Sequence, residues 1–148
     1  MPVLYDLFIT HAWRYHEDWT RAGELLDATP GLQWRNFSVP WYDPAMDPNT
    51  EVGGKFVRTW LESQITPVMG VIFLSSVYQV KSNRKWLEFE VDLARKHRKP
   101  IVGLPSFGAA ELPADVVALV DAAVPWDGRE IVTRLQALAV GQGSSAPA

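Results

Sequence analysis

Cysteine is absent from this chain of 148 residues. That one absence excludes a disulfide scaffold, a zinc ribbon, an iron–sulfur cluster and a cysteine nucleophile. Long apolar runs are missing too. The longest, around Val68 to Leu74, falls far short of the roughly 20 residues that span a bilayer. There is no basic surplus: 14 Lys and Arg against 17 Asp and Glu leave a net charge of −3, which argues against a nucleic-acid partner. The opening MPVLYDLFIT has no basic leader, and Asp6 interrupts its apolar run, so it reads as a first strand and not a signal peptide. The expectation is a cytoplasmic protein with no membrane partner.

What is present describes an ordinary globular chain. Hydrophobic residues make up 47% and charged residues 21%, enough apolar surface to offset the entropy of ordering. The length suits one domain, with a core large enough to need no metal or disulfide. The seven tryptophans suggest extensive packing, or the walls of a cleft where they lie outside the core.

Strand and helix signals alternate along the chain. Val3 to Ile9 reads as a strand. His16 to Ala28 reads as a helix, with Tyr15, Trp19, Ala22 and Leu26 on one stripe and Pro30-Gly31 as its stop. Trp34 to Val39 reads as a second strand. WYDPAMDPNTEVGG, through Gly54, reads as a long irregular loop. Helix is expected over Gly54 to Ile65 with Val57, Trp60, Leu61 and Gln64 on one side, then a strand buried on both faces in VMGVIFL. A helix over Asn83 to His97, a strand at 100–105, a short helix over Pro113 to Leu119, a strand near Ala122 to Pro125 and a helix from Asp127 to about Val140 complete the pattern. The domain is thus expected over 1–140, with GQGSSAPA (141–148) as a disordered tail. This alternation implies an α/β fold: a five-stranded parallel sheet of order 2-1-3-4-5, flavodoxin-like, with helices on both faces. Ligands then bind beyond the carboxyl ends of the first and third strands, where the winding reverses. That directs attention to Thr10–Tyr15 and Ser75–Trp86.

The usual occupants of such a crevice leave no signature here. THAWRY after the first strand carries no glycine, so it is neither a dinucleotide fingerprint nor a Walker loop. A phosphate-cradling loop would want several hydroxyl residues, and Thr10 stands alone. A phospho-receiver would want acids after the first strand. His11 and His16 lack metal-ligand company and read first as surface or loop residues. No GxSxG elbow occurs.

The informative segment is SNRKWLEFEVDLARKH. On a helical wheel at about 100° per residue, Leu87, Phe89, Val91, Leu93 and Ala94 share one arc. Glu88, Asp92, Arg95 and Lys96 share the opposite one. Glu90 falls inside the apolar arc, aimed at the sheet. A carboxylate is buried at a cost, so it serves an ion pair, a polar network or chemistry. Trp86, four residues earlier on the same face, can wall a pocket beside it or simply pack. Ser82 reads as the N-cap of this helix. Tyr78 falls on the loop after the third strand, where it could stack on a ring.

These residues carry a family likeness. YDLFITHA resembles the first-strand box of Toll/interleukin-1 receptor (TIR) domains. LSSVYQVKSNRKWLEFEVDLARKHRKPIVGL resembles the TIR stretch with a Leu-Ser start, a W-x-x-x-E helix and an apolar fourth strand. The Pro40–Gly54 segment sits where TIR domains place their BB loop. Within the family the chain looks most like the compact bacterial ThsB-like proteins of the Thoeris anti-phage system. It departs from the pattern at Thr10 and His11, where serine is common, and at Leu87, where cysteine is usual. The resemblance implies an enzyme that cleaves NAD⁺ as a substrate, with no resident cofactor and no metal. It breaks the nicotinamide–ribose bond and releases a cyclic or conjugated ADP-ribose signal for a separate effector. The likeness assigns Glu90 as the essential carboxylate, Ser82 and Trp86 as pocket neighbours, and Thr10, His11, Trp13 and Tyr78 as substrate contacts. It also implies a homo-oligomer. The chemistry agrees: glycosidic cleavage passes through an oxocarbenium-like transition state, which a buried carboxylate stabilises, and nicotinamide leaves without a general acid.

Two other readings stand beside this one. Glu90 can be structural in a non-catalytic TIR-like interaction module that binds through residues 41–54. Alternatively, RKPI at 98–101 echoes nucleoside deoxyribosyltransferase-like folds, which also place a glutamate on a helix before such a strand.

Overall fold

The computed structural model describes residues 4–11, 16–38 and 51–144, with backbone alone at 51–53 and 141–144. Its elements follow in the order β1 (Leu4–Ile9), α1 (Glu17–Asp27), β2 (Gln33–Asn36), α2 (Glu51–Ile65), β3 (Gly70–Leu74), α3 (Ser75–Gln79), α4 (Arg84–Lys96), β4 (Ile101–Leu104), α5 (Ala114–Val117), β5 (Ala122–Ala123) and α6 (Gly128–Ser144). The strands form one sheet in the order β2-β1-β3-β4-β5, and every pairing is parallel. This is the α/β, flavodoxin-like arrangement expected from the alternation. All five residues of β3 are buried, as a central strand covered on both faces requires. Helices α1 and α6 pack together, and α2 packs with α4.

The helix stripes point inward as their spacing demands. Ala22, Leu26, Val57, Leu61, Leu87, Val91, Ile131 and Leu135 all join the core, and Trp19 and Leu138 pack on its margin. Gln64 is buried beside them. Helix α1 starts at a histidine cap: His16 is extended and its Nδ1 accepts the Asp18 N–H at 3.0 Å. Glu17 and Asp18 in the first turn favour the positive end of the helix dipole.

Four boundaries differ from expectation. β2 ends at Asn36 because the Asn36 Oδ1 captures the Ser38 N–H at 2.9 Å and turns the chain. Helix α2 begins at Glu51, ahead of Gly54. The stretch after β3 is not a loop. It forms α3 and a 3-10 turn over Lys81–Asn83, because burying Val77 and Tyr78 holds it down. Helix α6 continues to Ser144, past the expected boundary at 140. Most of the long loop, Trp13, Tyr15 and residues 145–148 lie outside the described residues. Among those described, no helix is long and apolar enough to cross a membrane.

Candidate functional site

The carboxyl ends of β1 and β3 are locked together by backbone and side chain. The Thr10 N–H donates to the Ile72 carbonyl at 2.8 Å, and the Thr10 Oγ1 accepts the Leu74 N–H at 2.9 Å. Ser75 continues the lock across to β4, where its hydroxyl donates to the Leu104 carbonyl at 2.6 Å. Both hydroxyls are fully buried. Threonine and serine supply here the bonds that a strand loses when its ladder ends.

Glu90 reaches this junction from the middle of α4. It is fully buried, and its Oε1 accepts the His11 N–H at 3.2 Å across 79 residues of sequence. Its other oxygen meets no hydrogen-bond partner among the described residues. Burial pushes the carboxyl well above its ordinary 4.5, and the His11 amide opposes this without offsetting it. The wheel reading is therefore right about direction. The acid is not the buried half of an ion pair, since no cation contributes to its shift. A polar atom left unmatched in the interior costs about 1–3 kcal/mol, so this carboxyl sits at a loss that packing alone does not explain.

The other expected residues divide. Trp86 is buried one turn before Glu90 and meets Phe89 edge-on at 6.3 Å. His11 is buried with its ring 5.5 Å from that of Phe8, and the contact it brings to Glu90 is made by backbone. Thr10 is enclosed and serves the strand junction. Tyr78 is neither on a loop nor open. It is buried in α3, donates its hydroxyl to Glu88 at 2.6 Å and carries the Arg84 guanidinium 4.8 Å over its ring. That bond to Glu88 raises the phenol's pKa. Ser82 is exposed in the 3-10 turn and does not cap α4. Asn83 precedes the helix in a helical conformation with no side-chain cap. The reason is that the turn runs directly into α4, with the Arg84 N–H bonded to the Lys81 carbonyl. Trp13 lies outside the described residues.

No protein-family model and no curated protein matches this chain.

One residue of this end escaped the sequence reading. Asp18 is almost wholly buried. Its carboxylate accepts from the Ser76 hydroxyl and, at 3.3 Å, from the Phe107 N–H, and it pairs with Arg21 at 2.7 Å. Burial would raise its pKa, but the bonds from Ser76, Arg21 and Phe107 together hold it below the ordinary 3.8. It thus ties α1, α3 and the loop after β4 into one rim. An acid in a helix's first turn reads as a dipole partner, and nothing local in the sequence separates the two roles. Among the described residues, no group of three His, Asp or Glu is placed to hold a metal. A cavity of about 440 Å³ opens at the opposite end of the sheet, lined by Leu4, Asp6, Met69 and Gln136 among others.

Proposed function

We propose that this chain is a TIR-like enzyme that cleaves NAD⁺ at the bond between nicotinamide and ribose, with Glu90 as its essential carboxylate. What carries the reading is the state of Glu90: fully buried at the carboxyl end of β1, with one oxygen on the His11 amide and the other unmatched. An acid kept in that condition is held at the expense of stability, which is the mark of a group retained for chemistry.

The proposed mechanism follows from the electrostatics. The desolvated acid holds its proton to unusually high pH. The pyridinium of NAD⁺ brings a positive charge, and an opposite charge within a few ångströms favours the ionised carboxylate. Substrate binding thereby releases a proton. The C–N bond then breaks with its electron pair leaving on nicotinamide, which departs neutral. Positive charge moves onto the ribose, where the carboxylate stabilises it in a site of low dielectric. Water, or another nucleophile of the substrate, closes the reaction at the anomeric carbon and gives up its proton to Glu90, which returns to its protonated state. Trp86 keeps solvent from the acid, and Asp18 holds the rim. The TIR likeness extends the proposal to a cytoplasmic homo-oligomer of the Thoeris type, whose ADP-ribose product activates a separate effector in anti-phage defence.

The test is to incubate the purified protein with NAD⁺, and separately with nucleosides, and follow products by mass spectrometry for wild type and Glu90→Gln. Nicotinamide release that the folded variant loses by about 10²-fold or more is the expected result. Turnover of nucleosides alone would transfer the site to deoxyribosyl chemistry. Phage challenge of cells expressing either form provides the infection trigger. Equal protection by both would leave Glu90 a structural residue.

A further inference from the structure

Away from Glu90, α1 and the edge strand β2 border an open groove of about 350 Å³. Two half-buried indoles, Trp19 and Trp34, line it. Gly23, one turn after Trp19 on α1, lines it too, and a Cβ there would stand 3.9 Å from the six-membered ring of Trp34. The acids Glu24 and Asp27 complete the lining. Both indole N–H groups are already engaged. That of Trp34 donates to Asp27 at 2.8 Å, and that of Trp19 donates to Ser38 at 3.2 Å. What the two rings offer a ligand is therefore their π faces.

The described lining of the groove carries charge of one sign, from Glu24 and Asp27. Among the described residues, no lysine or arginine lines it. Arg35 is adjacent in sequence, but alternation along the strand turns it to the other face, where it grips Asp6 with two bonds of 2.7 and 2.8 Å. Arg21 is drawn to Glu17 and Asp18 and lies 4.6 Å over Phe107. Indole faces and carboxylates together attract a cation. With the N–H donors occupied, the favoured cation is one that needs no hydrogen-bond acceptor network.

We infer that the groove between α1 and β2 is a binding site for a small methylated ammonium ion, held by the faces of Trp19 and Trp34 and by the charge of Glu24 and Asp27. A quaternary ammonium is weakly hydrated and is recognised by aromatic faces. An anion is repelled here. This site is independent of the NAD⁺ reading, since it shares none of the lining residues with the Glu90 junction.

The experiment titrates the full chain with choline and, in parallel, with its uncharged carbon isostere 3,3-dimethylbutan-1-ol. The indole N–H resonances of Trp19 and Trp34, assigned through single Trp→Phe variants, report binding. Choline should shift both saturably and bind about tenfold more tightly than the isostere, the size of a partly desolvated cation–π contact. The double variant Glu24→Gln/Asp27→Asn keeps an acceptor for Trp34 and should weaken choline about tenfold without altering the isostere. Gly23→Leu, at a helical position that favours leucine, should fill the groove and abolish both shifts while circular dichroism stays unchanged. Equal affinity for choline and the isostere, unmoved indole resonances, or full choline binding by a folded Gly23→Leu protein would each overturn the assignment.

Discussion

Glu90 places a thermodynamic load on the protein that can be measured without a substrate. Its folded-state pKa lies well above 4.5, so over that interval the native state binds more protons than the unfolded chain. Stability then falls as pH rises from about the unfolded value to the folded one, by up to about 1.4 kcal/mol per pH unit. Glu90→Gln removes this slope while keeping an acceptor for the His11 N–H. The variant should be more stable than wild type near neutrality, and its advantage should shrink as pH falls towards 4.5, as read by urea unfolding across pH. A variant that gains stability and loses activity separates a catalytic acid from a structural one. A second residue carries backbone strain. Arg98 has φ of 58° in the αL position after α4, where the Arg98 N–H bonds to the Arg95 carbonyl and the Lys99 N–H to the Ala94 carbonyl. This pattern favours glycine. Arg98→Gly should stabilise the fold by roughly 1 kcal/mol, about 2–4 °C in melting temperature. A lower melting temperature would show that the arginine side chain contributes more than the strain it causes.

Between elements, the contact that fixes α1 against α6 has no room in it. A Cβ on Gly128 would fall 1.9 Å from the Thr29 hydroxyl, which itself donates to the Leu25 carbonyl at 2.8 Å. Gly128→Ala must displace that hydroxyl, and the expected loss is about 1–3 kcal/mol by chemical denaturation. Thr29→Ala/Gly128→Ala should recover part of it, so that the two changes are strongly non-additive. Full additivity would mean that the helices simply move apart. At this scale the sequence was most legible where periodicity speaks: α1, α4 and α6 matched their apolar stripes within a few residues. It was least legible after β3. There, α3 is only five residues long, too short to show a period, and its helical turn depends on burying Val77 and Tyr78 against the sheet.

In the whole molecule, the carboxyl edge of the sheet is assembled from segments far apart in the chain. Asp18 joins three of them through Ser76, the Phe107 N–H and Arg21. Its folded pKa is depressed below 3.8, so its contribution is complete above that unfolded value and is lost as pH falls through the folded one. Asp18→Asn should cost about 1–3 kcal/mol at neutral pH, and the difference from wild type should vanish in strong acid. If the rim positions the site, nicotinamide release should fall as well, while Glu90→Gln and Asp18→Asn shift stability in opposite directions. A neutral-pH stability equal to wild type would show that the bonds to Asp18 are replaced by solvent.

The alternation of apolar runs, the turn residues between them and the wheel position of Glu90 were enough to determine the α/β class, the strand order and an inward-facing acid. The class and the acid's direction follow from local periodicity, which a linear chain displays directly, and the strand order follows from the usual winding of such an alternation. Only the folded arrangement decided what the acid meets. The His11 amide lies 79 residues away, Asp18 draws on partners from two other segments, Tyr78 was turned to structural duty by a short helix that no local pattern announces, and Ser82 was left exposed in the 3-10 turn that follows. Hydrogen-bond partners across a parallel sheet are set by crossover and register, and neither is written in the spacing of residues along one element.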